Sequence, residues 1–249
     1  MTVLYFTSTG NCLMVAKQLG GTKISIPQAM RNGQYKFKDS KIGLVFPIYG
    51  LSVPPIVLEF LKKAEFETQY LFSILTYGTY DAGSVNQLVN TALEKAIKFD
   101  YVNCLHMQEN YLPGFAMEKQ KKPDNQDEKL QEICKDIEQT KHFIKKNNWF
   151  DRFMTKTHQA SYHYSRGVGV TDKLHINESC IGCGVCEKVC PTKNITIRDR
   201  KPTFGKDCLS CLACVQNCPN QAITLDTQKS NTRYRNPTVE LAEIIEANK

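Results

Sequence analysis

The stretch CIGCGVCEKVCP spans Cys180–Pro191, and a near copy, CLSCLACVQNCP, spans Cys208–Pro219. Both follow the spacing C-x2-C-x2-C-x3-C-P, and the second begins 28 residues after the first. Together they hold eight of the eleven cysteines in a chain of 249 residues. The odd cysteine total, the chain length and the absence of an export-type leader argue against a disulfide scaffold. The two motifs therefore indicate thiolates that bind metal.

This spacing resembles that of the bacterial ferredoxins with two [4Fe-4S] clusters. In that family the first three cysteines of a motif bind one cluster, and the fourth binds the other cluster. The resemblance implies a first cluster on Cys180, Cys183, Cys186 and Cys218. It implies a second cluster on Cys208, Cys211, Cys214 and Cys190. Structural zinc on CxxC pairs is the alternative, but zinc explains neither the third cysteine, nor the Cys-Pro ending, nor the duplication.

The other end of the chain opens with MTVLYFTSTGNCLMVAKQLG, in which TSTGN (Thr7–Asn11) separates a strand pattern from a helix pattern. Hydroxyl groups, a glycine and the N–H groups of a helix start are the usual components of a phosphate site. No lysine follows the glycine as in a nucleoside triphosphatase, and the GxGxxG pattern of a dinucleotide site is absent. A plain helix cap is the alternative interpretation of TSTGN.

Apolar strand patterns alternate with helix patterns over the first 150 or so residues. The predicted strands are Val3–Thr7, Lys23–Ile26, Lys41–Phe46, Tyr70–Thr76 and Tyr101–Met107. The predicted helices are Cys12–Leu19, Pro55–Lys63, Ser84–Lys98 and Gln126–Lys146, and the last has Ile144 on its apolar stripe. Such alternation predicts a parallel sheet covered by helices on both faces. TSTGN follows the first strand, at the position of the switch point in a doubly wound sheet.

YFTSTGN resembles the FMN-phosphate loop of flavodoxins, and this resemblance implies a bound FMN and the strand order 2-1-3-4-5. It places the flavin phosphate at Thr7, Ser8, Thr9, Gly10, Asn11 and Cys12. It places the flavin ring between two further loops, 47–55 and 76–83. The implied residues are Pro47, Ile48, Tyr49, Gly50, Tyr77, Gly78, Thr79, Tyr80 and Gly83. Flavodoxins often carry a tryptophan in the first ring loop, whereas the only tryptophan here is Trp149. Each tyrosine is equally compatible with a half-buried turn position.

Over nearly its whole length the chain resembles the flavodoxin–ferredoxin fusion proteins of anaerobic bacteria, the EFR-type ferredoxins. We therefore expect an α/β fold: a flavodoxin-like, five-stranded parallel sheet followed by a small α+β dicluster ferredoxin domain. The expected domains are 1–147 for the flavodoxin-like part and 175–226 for the ferredoxin part. An aromatic connector (148–174) that packs across both would join them, and a tail with a short helix (227–249) would follow.

The formal net charge of +7 does not by itself indicate nucleic acid. Two oxidised cluster sites would add a charge of about −4, and a flavin phosphate would add about −2. The net charge would then be about +1. Acidic residues also alternate with the basic ones. No apolar run approaches the roughly 20 residues of a membrane span, so we expect a cytoplasmic protein. Its partners would be redox proteins or a small electron acceptor, and its oligomeric state, a dimer included, stays open.

A cluster moves one electron at a time, whereas a flavin holds one or two, so the leading hypothesis is electron transfer between the clusters and FMN. A flavin-dependent reductase of a small acceptor, fed by its own clusters, is the first alternative. A redox sensor or assembly protein without functional flavin is the second. No set of catalytic side chains is evident, so enzyme activity stays open. Cys12 could be activated by the helix start, but a packing role is the simpler interpretation, as it is for Cys104 and Cys134.

Overall fold

The parallel sheet expected from the first part of the chain is present in the computed structural model, which describes residues 1–161 and 171–249. The described chain divides into two compact units. Unit 1 comprises residues 1–7, 12–108 and 122–161, and unit 2 comprises residues 8–11, 109–121 and 171–249. The loop that precedes the first helix therefore belongs to the same unit as the cysteine motifs.

Unit 1 contains most of the strands and helices. Its strands are β1 (Thr2–Tyr5), β2 (Thr22–Ser25), β3 (Lys36–Lys38), β4 (Lys41–Pro47), β5 (Glu65–Glu67), β6 (Tyr70–Tyr77), β7 (Tyr101–His106) and β8 (Phe143–Ile144). Its helices are α1 (Asn11–Leu19, whose first residue belongs to unit 2), α2 (Ile26–Arg31), α3 (Pro55–Leu61), α4 (Ser84–Leu93), α5 (Gln126–Glu138) and α6 (Trp149–Ser161).

Six of these strands form one parallel sheet in the order β2-β1-β4-β6-β7-β8, as far as the described residues go. Its first five strands have the flavodoxin-like order 2-1-3-4-5. The short strands β3 and β5 pair separately. The fold class expected from the sequence is confirmed, with one strand more than expected.

The central strands β1, β4 and β6 are apolar on both faces because helices cover both sides of the sheet. Fully buried side chains of these strands include Leu4, Ile42, Leu44, Phe46, Phe72 and Ile74. Gly43 of β4 lies directly opposite Phe72 of β6, and the ring of Phe72 covers the glycine. A Cβ on Gly43 would lie 2.1 Å from Cζ of that ring, so this position of the sheet requires glycine.

The sixth strand occupies part of a segment that the sequence predicts to be helical. The helix expected over Gln126–Lys146 ends at Glu138, and Thr140 has a positive φ of 51° that a helix does not tolerate. The side chain of Lys41 donates to the last carbonyl groups of α5, on Ile137 at 2.7 Å and on Glu138 at 2.8 Å. Ile144 therefore lies in β8 at the sheet edge and not on a helical stripe.

Helix α6 was not predicted, because its segment shows no clear helical period in the sequence. The side chains of Trp149, Phe150 and Phe153 suggested a packed connector, yet they are 71%, 49% and 54% exposed. The helix is held instead by polar contacts, described below. Two other aromatic residues that supported the connector prediction, Tyr162 and Tyr164, lie outside the described residues.

Unit 2 contains short elements around the cysteine motifs and the tail. They are β9 (Leu174–Ile176), α7 (Val185–Lys188), β10 (Ile195–Arg198), β11 (Lys201–Phe204), α8 (Ala213–Gln216), β12 (Ile223–Leu225) and α9 (Leu241–Ala247). The tail helix expected from the sequence is present as α9. It starts with a capping box, in which the side chains of Glu240 and Glu243 each accept a hydrogen bond from the other residue's backbone N–H. None of the helices in the described ranges has the length and apolar character needed to cross a bilayer.

We expect Gly43→Ala to lower the free energy of unfolding by about 1–3 kcal/mol, because the added methyl group collides with the Phe72 ring in a packed sheet. Urea unfolding followed by far-ultraviolet circular dichroism measures the effect. Phe72→Leu is the matched partner, and the double variant should lose less stability than the two single losses added together. An unchanged unfolding midpoint for Gly43→Ala would contradict this packing.

Candidate functional site

The two cysteine motifs adopt the same backbone path. Gly182 and Ser210 occupy equivalent positions and have φ values of 68° and 55°. Gly184 and Leu212 precede the short helices α7 and α8 with φ values of 74° and 58°. The first motif uses glycine at these left-handed positions, whereas the second accepts side chains there at a conformational cost. The internal repeat of the sequence is therefore also a repeat of the structure.

Strand pairing links the two motifs crosswise. Strand β9, before the first motif, pairs antiparallel with β12, after the second motif. Strand β10, after the first motif, pairs antiparallel with β11, before the second motif. Each motif therefore ends beside the loop of the other motif.

Two cavities result, and each is lined by three cysteines of one motif and the last cysteine of the other. The first cavity, with about 340 Å³ of atom-free space, is lined by Cys180, Cys183, Cys186 and Cys218. The second, with about 420 Å³, is lined by Cys208, Cys211, Cys214 and Cys190. The remaining walls are mainly apolar in both, with Ile197 and Ile223 in the first and Ile195 and Phe204 in the second. All eight cysteines of the motifs are thus accounted for in two groups of four.

Backbone N–H groups donate to the sulfur atoms in the same repeated pattern. Asn194 donates to Sγ of Cys190 at 3.2 Å, and Ala222, 28 residues later, donates to Sγ of Cys218 at 3.2 Å. Ser210 donates to Sγ of Cys208 at 3.4 Å. Such hydrogen bonds stabilise a negatively charged sulfur and raise the reduction potential of a bound cluster.

Burial raises the pKa of several cysteine side chains that line the two cavities. It raises the pKa of Cys186 to about 11. For Cys214, burial followed by the neighbouring cysteines raises the pKa well above its ordinary value. A metal that binds here must displace these protons and supply the positive charge that keeps the thiolates ionised.

Within residues 1–161 and 171–249, no group of three or more His, Cys, Asp or Glu side chains is arranged to hold a metal ion.

Comparison with protein families identifies the cysteine region. Residues 179–223 match the family model described as a 4Fe-4S dicluster domain. The match contains all eight cysteines that line the two cavities, and a domain of this kind supports iron–sulfur clusters and electron transfer. A comparison with curated proteins gives no match. Among solved structures, the Trp repressor binding protein from Bacillus subtilis is similar at 10% identity and a TM-score of 0.36, covering 54% of this chain and 95% of that one.

Residues 8–11 of the predicted phosphate loop Thr7–Asn11 belong to unit 2 and are buried. Ser8, Thr9 and Asn11 are all less than a tenth exposed, and Gly10 has a φ of 97°. Thr7, in unit 1, is also buried. The loop leads into the N-terminus of α1, as the sequence predicts.

Side chains from other parts of unit 2 hold this loop. Asn217 donates to the carbonyl oxygen of Ser8 at 3.0 Å, and Asn110 donates to the hydroxyl group of Thr9 at 3.1 Å. The hydroxyl of Tyr234 donates to Oδ1 of Asn11 at 2.8 Å.

Asn236 adds two contacts from the tail. Its backbone N–H donates to the carbonyl of Thr9 at 2.7 Å, and its side chain donates to Oδ1 of Asn11 at 3.0 Å. The sequence offered no signal for these partners beyond their polar character, because they become neighbours of the loop only in the folded chain.

Two features of the loop make it suitable for a phosphate ester, and a third opposes this. The hydroxyls of Ser8 and Thr9 at a helix start are suitable donors, and Oδ1 of Asn217 is buried without a hydrogen-bond partner in the described residues. An orphaned acceptor of this kind suits a ligand that carries hydroxyl donors, as the ribityl chain of FMN does. The segment 234–239 nevertheless covers the loop: a Cβ on Gly10 would lie 2.9 Å from Cβ of Val239.

Cys12 is buried at the start of α1. Its Sγ lies 3.2 Å from Oγ1 of Thr76, and burial raises its pKa to about 12. The helix start therefore does not lower the pKa of this thiol, which favours the packing interpretation. Cys104 is likewise buried, with a pKa raised by burial, and Cys134 is half-buried on α5.

The two predicted ring loops, 47–55 and 76–83, lie at the carboxyl ends of the neighbouring strands β4 and β6 of unit 1. The ring of Tyr49 meets Phe6 edge-on at 5.9 Å, Tyr77 stacks on His106 at 5.1 Å, and Tyr80 donates to Asp151. Of the other residues predicted to contact the flavin ring, Gly83 is buried. The rest are half-buried or exposed: Pro47, Ile48, Gly50, Gly78 and Thr79. The three tyrosine side chains therefore already contact protein groups.

Thr155 of α6 joins the two ring loops. Its hydroxyl donates to the carbonyl of Leu51 at 2.9 Å and accepts from the N–H of Gly83 at 2.8 Å, and the residue is buried. A Cβ on Gly83 would lie 2.9 Å from Cα of Arg152, so glycine allows the close approach of this helix. Thr155 lies in the segment without a clear period, so no sequence pattern points to this residue.

We expect Cys12 to resist alkylation in the folded protein. With a pKa of about 12, about one thiol in ten thousand is ionised at pH 8. Iodoacetamide labelling at pH 8 with peptide mass spectrometry should therefore modify Cys134 before Cys12, and raising the pH should increase Cys12 labelling. Unfolding in urea should make the two equal. Faster labelling of Cys12 than of Cys134 in the folded chain would contradict the buried contact with Thr76.

Proposed function

We propose that this chain is an electron-transfer protein that passes electrons between two [4Fe-4S] clusters and a bound FMN. The observation that carries the proposal is the division of eight cysteines into two apolar cavities, each lined by four of them. The match of this region to a 4Fe-4S dicluster domain supports it. Redox proteins or a small electron acceptor would be the partners, and the reducing cytoplasm suits a chain with this many free thiols.

Four cysteines would hold each cluster. The first cluster would be bound by Cys180, Cys183, Cys186 and Cys218, and the second by Cys208, Cys211, Cys214 and Cys190. When bound, each cluster supplies a one-electron centre and FMN a one- or two-electron centre. The chain contributes apolar walls that exclude water and backbone N–H groups that stabilise the sulfurs.

The flavin part of the proposal rests on the loop 8–11. This loop follows the first strand of a sheet with flavodoxin-like order, where doubly wound folds bind phosphate groups. Asn217, which holds Ser8 and keeps an orphaned acceptor beside it, is the residue immediately before Cys218. The loop would thus fix a flavin phosphate within the same compact unit as the clusters.

The coverage of this loop favours a second candidate, a redox sensor or assembly protein that carries clusters without flavin. Tyr234 and Asn236 occupy the acceptor of Asn11, and Val239 lies against Gly10. Anaerobic preparation of the full chain, assayed for iron, sulfide and extracted flavin, separates the candidates. Iron with stoichiometric FMN supports the first, iron alone supports the second, and neither iron nor flavin overturns both.

Paired cysteine variants test the crossed ligand sets. C190A/C208A removes two ligands of the second set, so about half of the iron should remain. C190A/C180A removes one ligand from each set, so both clusters should be lost or weakened. Iron and acid-labile sulfide are measured per chain, with C134A as the control outside the motifs. Retention of half the iron in C190A/C180A and its complete loss in C190A/C208A would show that each motif serves its own cluster.

The flavin loop has its own test. We expect T9A/N11A to weaken FMN binding about 10- to 100-fold, because two polar contacts are removed, and to leave the iron content unchanged. Fluorescence titration of flavin-free protein gives the affinity. C12A is the matched control within the same stretch, and Y234F removes the tyrosine contact to Asn11 without altering the loop. If T9A/N11A binds FMN as tightly as the parent, the loop assignment is wrong.

A further inference from the structure

The side chain of Arg233 contacts Ile223, a residue that lines the first cavity. It follows β12 and is only partly exposed. Its guanidinium donates to the carbonyl of Ile223 at 3.1 Å and to that of Ser230 at 3.4 Å. Its Nε–H is buried and has no hydrogen-bond partner among the described residues. A half-buried cation with one unused donor is costly unless a negative charge lies nearby.

The negative charge available is that of the first cluster site. Ile223, which accepts from Arg233, lines the first cavity, and its neighbour Ala222 donates to Sγ of Cys218. Burial lowers the pKa of Arg233, and the charge of Cys218 opposes that shift, so the guanidinium and the thiolate act on each other.

We propose that Arg233 is the counter-charge of the first cluster and raises its reduction potential relative to that of the second cluster. The inference rests on the proposed function insofar as the cysteines hold clusters, but it does not require flavin. Reduction adds one negative charge to a site that already carries about −2. A fixed, partly buried cation stabilises that added charge and is only weakly screened by salt.

The repeat does not duplicate this cation. The residue 28 positions before Arg233 is Gly205, which carries no charge. Arg233 therefore has no charged counterpart in the repeat, and this difference between the two sites comes from the tail.

The test is a reductive titration of the full chain with dithionite under anaerobic conditions, followed by electron paramagnetic resonance. In R233Q we expect the midpoint potential of one cluster to shift downward while that of the other moves little. R233K, which restores the charge, should recover most of the shift. R235Q removes an exposed charge two residues away and is the matched control, with both midpoints unchanged. Repeating R233Q in the C190A/C208A background, which keeps the first cluster, should reproduce the shift.

Equal shifts of both clusters, no shift at all, or the same shift in R235Q would overturn the inference. Iron and sulfide content must stay at the parental level. If R233Q loses iron, R233M, which keeps an unbranched stem without a polar group to bury, should show the downward shift. A parental potential in R233M would also overturn the inference. Absence of iron from the parent protein would instead remove the proposed function, so the two failures are distinct.

Discussion

The crosswise pairing of β9 with β12 and of β10 with β11 is the constraint on which the C-terminal part depends. It brings the last cysteine of each motif to the cavity of the other motif. Neither cavity can therefore be completed by one motif alone, although the motifs have the same spacing and the same backbone path. Each motif supplies cysteines to both cavities, so the loss of a whole motif would remove ligands from both.

The sequence allowed the features that depend on local order along the chain to be predicted. Cysteine spacing predicted metal binding, and the alternation of apolar strands with helices predicted the parallel sheet. The two groups of four and the strand order followed from the resemblance to ferredoxins and flavodoxins. The predictions went wrong where local pattern and tertiary context disagree. Ile144 fits a helical stripe, yet the left-handed backbone at Thr140 ends the helix and sends the chain to the sheet edge. Helix α6 was missed because polar ties such as Thr155 hold it.

The contacts around the loop 8–11 could not have been predicted from the sequence for a different reason. Asn110, Asn217, Tyr234 and Asn236 lie in three separate parts of the chain and carry no distinctive spacing. Their role follows from a buried loop whose carbonyl and amide groups need partners once water is excluded. The same requirement makes the unsatisfied acceptor Oδ1 of Asn217 informative, because buried polar atoms without partners are rare in proteins.

The loop 8–11 comes from the start of the chain but is held by residues near its end. During synthesis the first strands leave the ribosome long before Asn217, Tyr234 and Asn236 exist. The nascent sheet must therefore carry this short loop without its final partners until translation has passed Asn236. A chain that stopped before that residue would lack these contacts even with every strand of the sheet in place.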